Sequence, residues 1–205
     1  MLGMNLSASS YFDQMCEELR RLDMAAVQRL CDRVYDAWNE GRQVFTFGNG
    51  GSAAAATHYA ADWAKNCLAS EDLVRCGGKR LKIFSLVDNV AWMTALGNDL
   101  SYDQIFCQQL VHFGNRGDLV IAISGSGNSP NVLRAVEWSN ANGLATFGMT
   151  GYDGGKLKQL ALDGVHVSLN DMAMVESIHT SIGHYVVDDL TARIQRSGKY
   201  AESRD

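Results

Sequence analysis

The sequence predicts an α/β fold: a single doubly wound five-stranded parallel sheet flanked by helices, with a long N-terminal helix. Three observations carry that prediction. Five short apolar runs alternate with helical stretches, and strand–helix–strand in series means parallel pairing through right-handed crossovers. Two Gly/Ser-rich loops each follow a strand, where the ligands of such sheets bind. Only one proline interrupts the chain, so long helices are free to form.

The elements follow in order. Phe12, Met15, Leu19, Leu22, Val27, Leu30, Val34 and Trp38 recur at steps of three to five, which predicts one amphipathic helix over 11–38, ended at Gly41. Such a helix is about 40 Å long, more than this sheet needs, and its apolar face is expected to reach a second subunit. Strands are predicted at 43–47, 81–86, 118–124, 144–149 and 164–169. Helices are predicted at 52–66, 90–96, 103–113 and 130–142, with a short piece after Asp153 and a long terminal helix over 174–196. Residues 67–80 read as a loop that closes over the site, and residues from Ser197 onward as frayed. The organisation is therefore an oligomerisation helix over 1–40 and a ligand-binding unit over 41–205, forming one compact body.

Bulk properties exclude several classes. Hydrophobic residues make up 46% and charged residues 20% of the 205, the composition of a globular domain large enough for a proper core. A net charge of −5 without a Lys/Arg stripe argues against nucleic acid as a ligand. The five cysteines are odd in number and lack CxxC pairing, as expected of a reduced, cytoplasmic chain. No apolar run is long enough for a membrane span.

The chemistry concentrates in three places. Gly48-Asn49-Gly50-Gly51-Ser52 runs from a strand into an alanine-rich helix, so backbone N–H groups at a helix start face a ligand, and a phosphate is the usual guest. It is neither a dinucleotide fingerprint nor a P-loop. Ser124-Gly125-Ser126-Gly127-Asn128-Ser129 adds three hydroxyls before Pro130, which opens the next helix. Dense uncharged donors of this kind suit a phosphate monoester. His58 and Asp62 lie four apart on one helix face, either an acid–base pair or two metal ligands. Glu176, His179 and His184 share the terminal helix, where one histidine is expected to face the site and the other a subunit contact or solvent.

These motifs, together with Gly97-Asn98-Asp99 and Thr150-Gly151-Tyr152-Asp153-Gly154-Gly155, resemble those of the sugar isomerase (SIS) domain family, and within it the phosphoheptose isomerases. The resemblance implies the SIS fold and an aldose–ketose isomerase that converts sedoheptulose 7-phosphate to D-glycero-D-manno-heptose 7-phosphate through an enediol. It further implies a homotetramer with shared active sites and one zinc ion per site. Under it Asp62 and His184 are catalytic, and His58, Asp62, Glu176 and His184 form the metal set. Asn49, Gly50, Gly51, Ser52, Asp99, Ser124, Ser126, Ser129 and Glu176 line the substrate pocket. Two positions depart from the family pattern: Asp62 stands where a glutamate is usual, and Glu176 where a glutamine is usual. Lys65 is the nearest cation to a usual arginine, and Asp171 the nearest candidate for a usual aspartate. The alternative implied by the same family is a non-catalytic SIS protein, either a replication-initiator-binding factor or a phosphosugar sensor.

Overall fold

The computed structural model describes residues 2–201. All five strands form, as one parallel sheet: β1 (Gln43–Gly48), β2 (Lys82–Ser85), β3 (Leu119–Ser124), β4 (Ala145–Thr150) and β5 (Asp163–His166). Their spatial order is β2-β1-β3-β4-β5. The register aligns Phe47 with Ala122 and Ile123 with Met149, so the carboxyl ends of β1, β3 and β4 lie side by side. Winding runs one way from β1 to β2 and the other way from β3 to β5. The reversal between β1 and β3 leaves a crevice at their carboxyl ends.

The helices are α1 (Ala8–Arg21), α2 (Met24–Glu40), α3 (Gly51–Asn66), α4 (Ser70–Val74), α5 (Val90–Asp99), α6 (Cys107–Phe113), α7 (Pro130–Ala141), α8 (Leu157–Leu160) and α9 (Met172–Gln195). They cover both faces of the sheet. Alternate strand residues point to opposite sides, so Val44, Ile121 and Met149 enter a core with α2, α3 and α9. Phe47, Val120 and Ala122 enter a second core with α6 and α7.

The long N-terminal helix is in fact two. Leu22 leaves helical geometry and Asp23 caps a new helix, its carboxylate accepting from Ala25 N at 3.0 Å and Ala26 N at 3.1 Å. The apolar stripe continues across the break, which is why its spacing reads as unbroken. α2 ends at Gly41 in the left-handed region, as expected.

Residues 67–80 do not close over the site within this chain. They contain α4 and are tied to the opposite end of the sheet, where Trp38 Nε1 donates to Lys79 O and Lys79 Nζ to Asn39 O. Nor does the described part of the tail fray: a 3-10 turn, Gly198–Tyr200, returns Lys199 and Tyr200 to the buried carboxylate of Asp189. Residues 202–205 lie outside the described residues. Among the described residues no helix is long and apolar enough to cross a membrane.

Candidate active site

The glycine loop leaves β1 and starts α3 at Gly50, whose φ of 56° favours glycine. Among the described residues no side chain caps this helix, the arrangement in which the first backbone N–H groups are open to a ligand. Gly51 serves a different purpose, leaving room for a neighbouring side chain. The Glu176 carboxylate, reaching across from α9, rests on its bare Cα, and a Cβ there would lie 2.2 Å from a carboxylate oxygen. Glu176 is half-buried, and burial pushes its carboxyl pKa up. Ser52 is buried and packs beside Gly48.

The serine loop leaves β3 beside it. Ser124 Oγ accepts from Gly127 N at 3.2 Å and lies 3.4 Å from Ser129 Oγ. Ser126 Oγ accepts from Asn128 N and is exposed. An amide pair joins the two loops: Asn49 Nδ2 donates to Asn131 Oδ1, and Asn131 Nδ2 donates to Asn49 Oδ1, both at 2.9 Å. The Tyr102 hydroxyl donates to Asn49 Oδ1 at 3.1 Å. Asn131 and Tyr102 were not among the residues singled out from sequence. Neither belongs to a motif, and only the fold brings α7 and the turn after α5 to Asn49. Asp99, the last residue of α5, is exposed and accepts from Asn98 Nδ2.

Two turns along α3 lies the second half of the site. His58 Nε2 is 3.0 Å from Asp62 Oδ2, and His184 Nε2 is 3.9 Å from the same oxygen. The two imidazole nitrogens are 3.3 Å apart, with the rings edge to face. Two nitrogens and one oxygen thus converge within 4.8 Å, a donor set able to hold a divalent cation. Ligand atoms about 2.1 Å from one tetrahedral ion stand about 3.4 Å from each other, within the spread observed. Glu176 lies outside this cluster, because its carboxylate is turned down onto Gly51, two turns earlier on α3 than His58. A groove of about 400 Å³ between α3 and α9 joins the halves, lined by Gly51, Ala54, His58, Glu176, Ser177 and Thr180.

His179 answers the question that spacing left open, and faces neither solvent nor a subunit contact. It is 0% exposed beneath the serine loop, with Nε2 3.3 Å from Thr150 O and Nδ1 unpartnered among the described residues. Burial pushes its pKa down to about 4, so it is neutral. Asp171 is likewise structural: it caps α9 through Met174 N at 3.0 Å and is 1% exposed.

Comparison with known proteins agrees with this architecture. Residues 10–151 match the SIS domain family. The phosphoheptose isomerase of Paramagnetospirillum magneticum is 38% identical over 165 residues, 80% of this chain and 82% of that protein. The phosphoheptose isomerase of Nitratidesulfovibrio vulgaris is 39% identical over 145 residues, 71% of this chain and 66% of that protein. Among solved structures, a phosphoheptose isomerase from Francisella tularensis superimposes with a TM-score of 0.79 at 26% identity, covering 89% of this chain and 95% of that one. The chain therefore belongs to the SIS domain family, among its phosphoheptose isomerases.

Proposed function

We propose that this protein is an aldose–ketose isomerase for a phosphorylated seven-carbon sugar, interconverting sedoheptulose 7-phosphate and D-glycero-D-manno-heptose 7-phosphate. One observation carries the reading. A carboxylate flanked by two imidazoles is built on the same helix as an uncapped glycine-rich start, and one groove runs from Gly51 at that start to His58 of the cluster. The loops receive the phosphate: backbone N–H groups at Gly50, Gly51 and Ser52, and hydroxyls of Ser124, Ser126 and Ser129. Asn49, Asp99 and Glu176 are assigned to the sugar hydroxyls, Asn49 being fixed by Asn131 and Tyr102.

Asp62 and His184 are the acid–base pair. Together they take a proton from C1 of the ketose and deliver one to the C2 oxygen, giving the enediol. They then take the proton from the C1 oxygen and deliver one to C2, so the isomerisation is neutral in protons and electrons. His58, Asp62 and His184 are the residues that would hold a zinc ion. When bound, zinc would supply a positive charge that polarises the sugar carbonyl. Glu176 was expected as a fourth ligand; its place against Gly51 supports a role at the substrate instead.

The side chains of His58 and His184 are 45% and 54% exposed, so a single chain does not screen the cluster from water. Helix α5 is apolar along most of its length yet has no buried residue, and Phe12 of α1 is 63% exposed. Both features support a homotetramer in which a neighbouring subunit covers the site. Light scattering should give four times the 22.4 kDa chain mass; a monomer would refute it.

The decisive assay follows loss of sedoheptulose 7-phosphate with and without zinc. The wild type should turn over, and Asp62→Ala and His184→Ala should each lower the rate about 10²- to 10⁴-fold. No turnover by the wild type, with the phosphosugar still protecting the fold against heat, would leave a non-catalytic phosphosugar-binding protein.

A further inference from the structure

Helices α3 and α9 run parallel and carry every member of the His58–Asp62–His184 cluster. The buried contact between them is specific. Tyr59 and Trp63, four apart on α3, stack with ring centroids 5.0 Å apart at 7°. Both are buried, at 2% and 0% exposure. The Tyr59 hydroxyl donates to the His179 carbonyl, and Trp63 Nε1 donates to the Gly183 carbonyl at 3.0 Å. The acceptors are also four apart, on α9. Those two carbonyls belong to a helix interior, where each already accepts from the amide four residues on. The α9 backbone therefore does not need these donors for its own satisfaction.

Three of the four clamp positions are next in sequence to a cluster residue. His58 precedes Tyr59, Asp62 precedes Trp63, and His184 follows Gly183. Gly183 makes the approach possible, since a Cβ there would sit 1.9 Å from the Tyr59 ring. Two donors and two acceptors at equal spacing fix both the translation and the rotation of one helix against the other. Sliding by one residue would move the helices about 1.5 Å and break both bonds together. A metal site tolerates about 0.2 Å in its ligand distances, so the cluster is far more sensitive to this register than the hydrophobic core is.

We propose that Tyr59 and Trp63 are positioning residues: a two-rung clamp that sets the register of α3 on α9 and so brings His58, Asp62 and His184 to one point. This rests on the isomerase reading above for its kinetic consequences, but not for its effect on metal binding. The hydrogen bonds within the serine loop and between Asn49 and Asn131 involve neither Tyr59 nor Trp63.

The test compares Tyr59→Phe and Trp63→Phe, which remove one donor each and keep an aromatic ring, with Val136→Ala in the opposite core. Val136 is fully buried in the core with Leu110 of α6 and Leu157 of α8, apart from the core that holds Tyr59 and Trp63. Two readouts are taken: zinc affinity of the metal-free protein by chelator competition, and kcat and KM on sedoheptulose 7-phosphate. The clamp variants should each lose about 10- to 100-fold in zinc affinity and in kcat, with KM changed less than about twofold. Val136→Ala should lose stability while keeping both. Clamp variants that match Val136→Ala in zinc affinity would overturn the proposal. A wild type that binds zinc but does not turn over the sugar would sink the isomerase reading while the zinc data still decide the clamp.

Discussion

The two loops at the strand reversal look alike in sequence and are built in different ways. The serine loop is closed on itself and on its neighbours. Gly127 N bonds to Ser124, Gly151 N donates to Gly125 O, Leu157 N donates to Gly127 O, and Lys156 N donates to Asn128 Oδ1. The glycine loop is anchored at one end only: Asn49 is tied to Asn131 and Tyr102, but the helix start that follows has no side-chain cap, and Gly51 faces the Glu176 carboxylate. A closed loop holds hydroxyls at fixed positions, whereas an uncapped helix start leaves backbone donors for a ligand to satisfy. Substitutions should therefore cost stability in the first loop and binding in the second.

The largest stability effect is expected at Gly127. Its φ is +64°, and a Cβ there would lie 2.0 Å from the Gly154 carbonyl oxygen, which is backbone and cannot step aside. Left-handed strain and overpacking together put Gly127→Ala at about 2–5 kcal/mol in urea unfolding at neutral pH. A loss under 1 kcal/mol would mean that the loop is looser than its hydrogen bonds imply.

Much of this was legible in the sequence, and the gaps have physical causes. Strands such as 118–124 and 144–149 are continuous apolar runs bounded by turn residues, the pattern of strands buried on both faces. The cluster residues His58 and Asp62 were legible because a helix places positions four apart on one face. The break at Asp23 was hidden by an apolar stripe that runs through it, although an aspartate before Met24-Ala25-Ala26 is an N-cap signal. His179 could not be placed because spacing fixes a helix face but not what covers that face. Asn131 and Tyr102 act on Asn49 across 82 and 53 residues, a relation no local pattern encodes.

His179 gives the next effect, and it too reports on the closed loop. It holds the Thr150 carbonyl, and Gly151 beside it bonds to Gly125. Its folded pKa of about 4 lies below the ordinary 6.5. Between those values the unfolded chain binds a proton that the folded chain does not. Stability contributed by the neutral ring is therefore fully present above about pH 6.5 and is lost as pH falls towards 4. The gap between those two values corresponds to roughly 3 kcal/mol. Unfolding measured from pH 7.5 to 4.5 should show this loss in the wild type, and a clearly shallower slope in His179→Gln. Equal slopes would assign the acid sensitivity elsewhere.

The smallest effect on stability, and the sharpest contrast with Gly127, belongs to Gly51→Ala. The added Cβ meets only the end of a flexible side chain, so Glu176 can swing away and the fold should lose less than about 1 kcal/mol. The displaced carboxylate then leaves the place assigned to a sugar hydroxyl, and the methyl group narrows the approach to the first N–H groups of α3. KM for sedoheptulose 7-phosphate should rise about tenfold, equivalent to about 1.4 kcal/mol, with zinc affinity unchanged because His58 lies two turns further on. Unchanged KM would remove the glycine loop from the substrate site. A fall in zinc affinity would instead return Glu176 to the metal set from which its position on Gly51 now separates it.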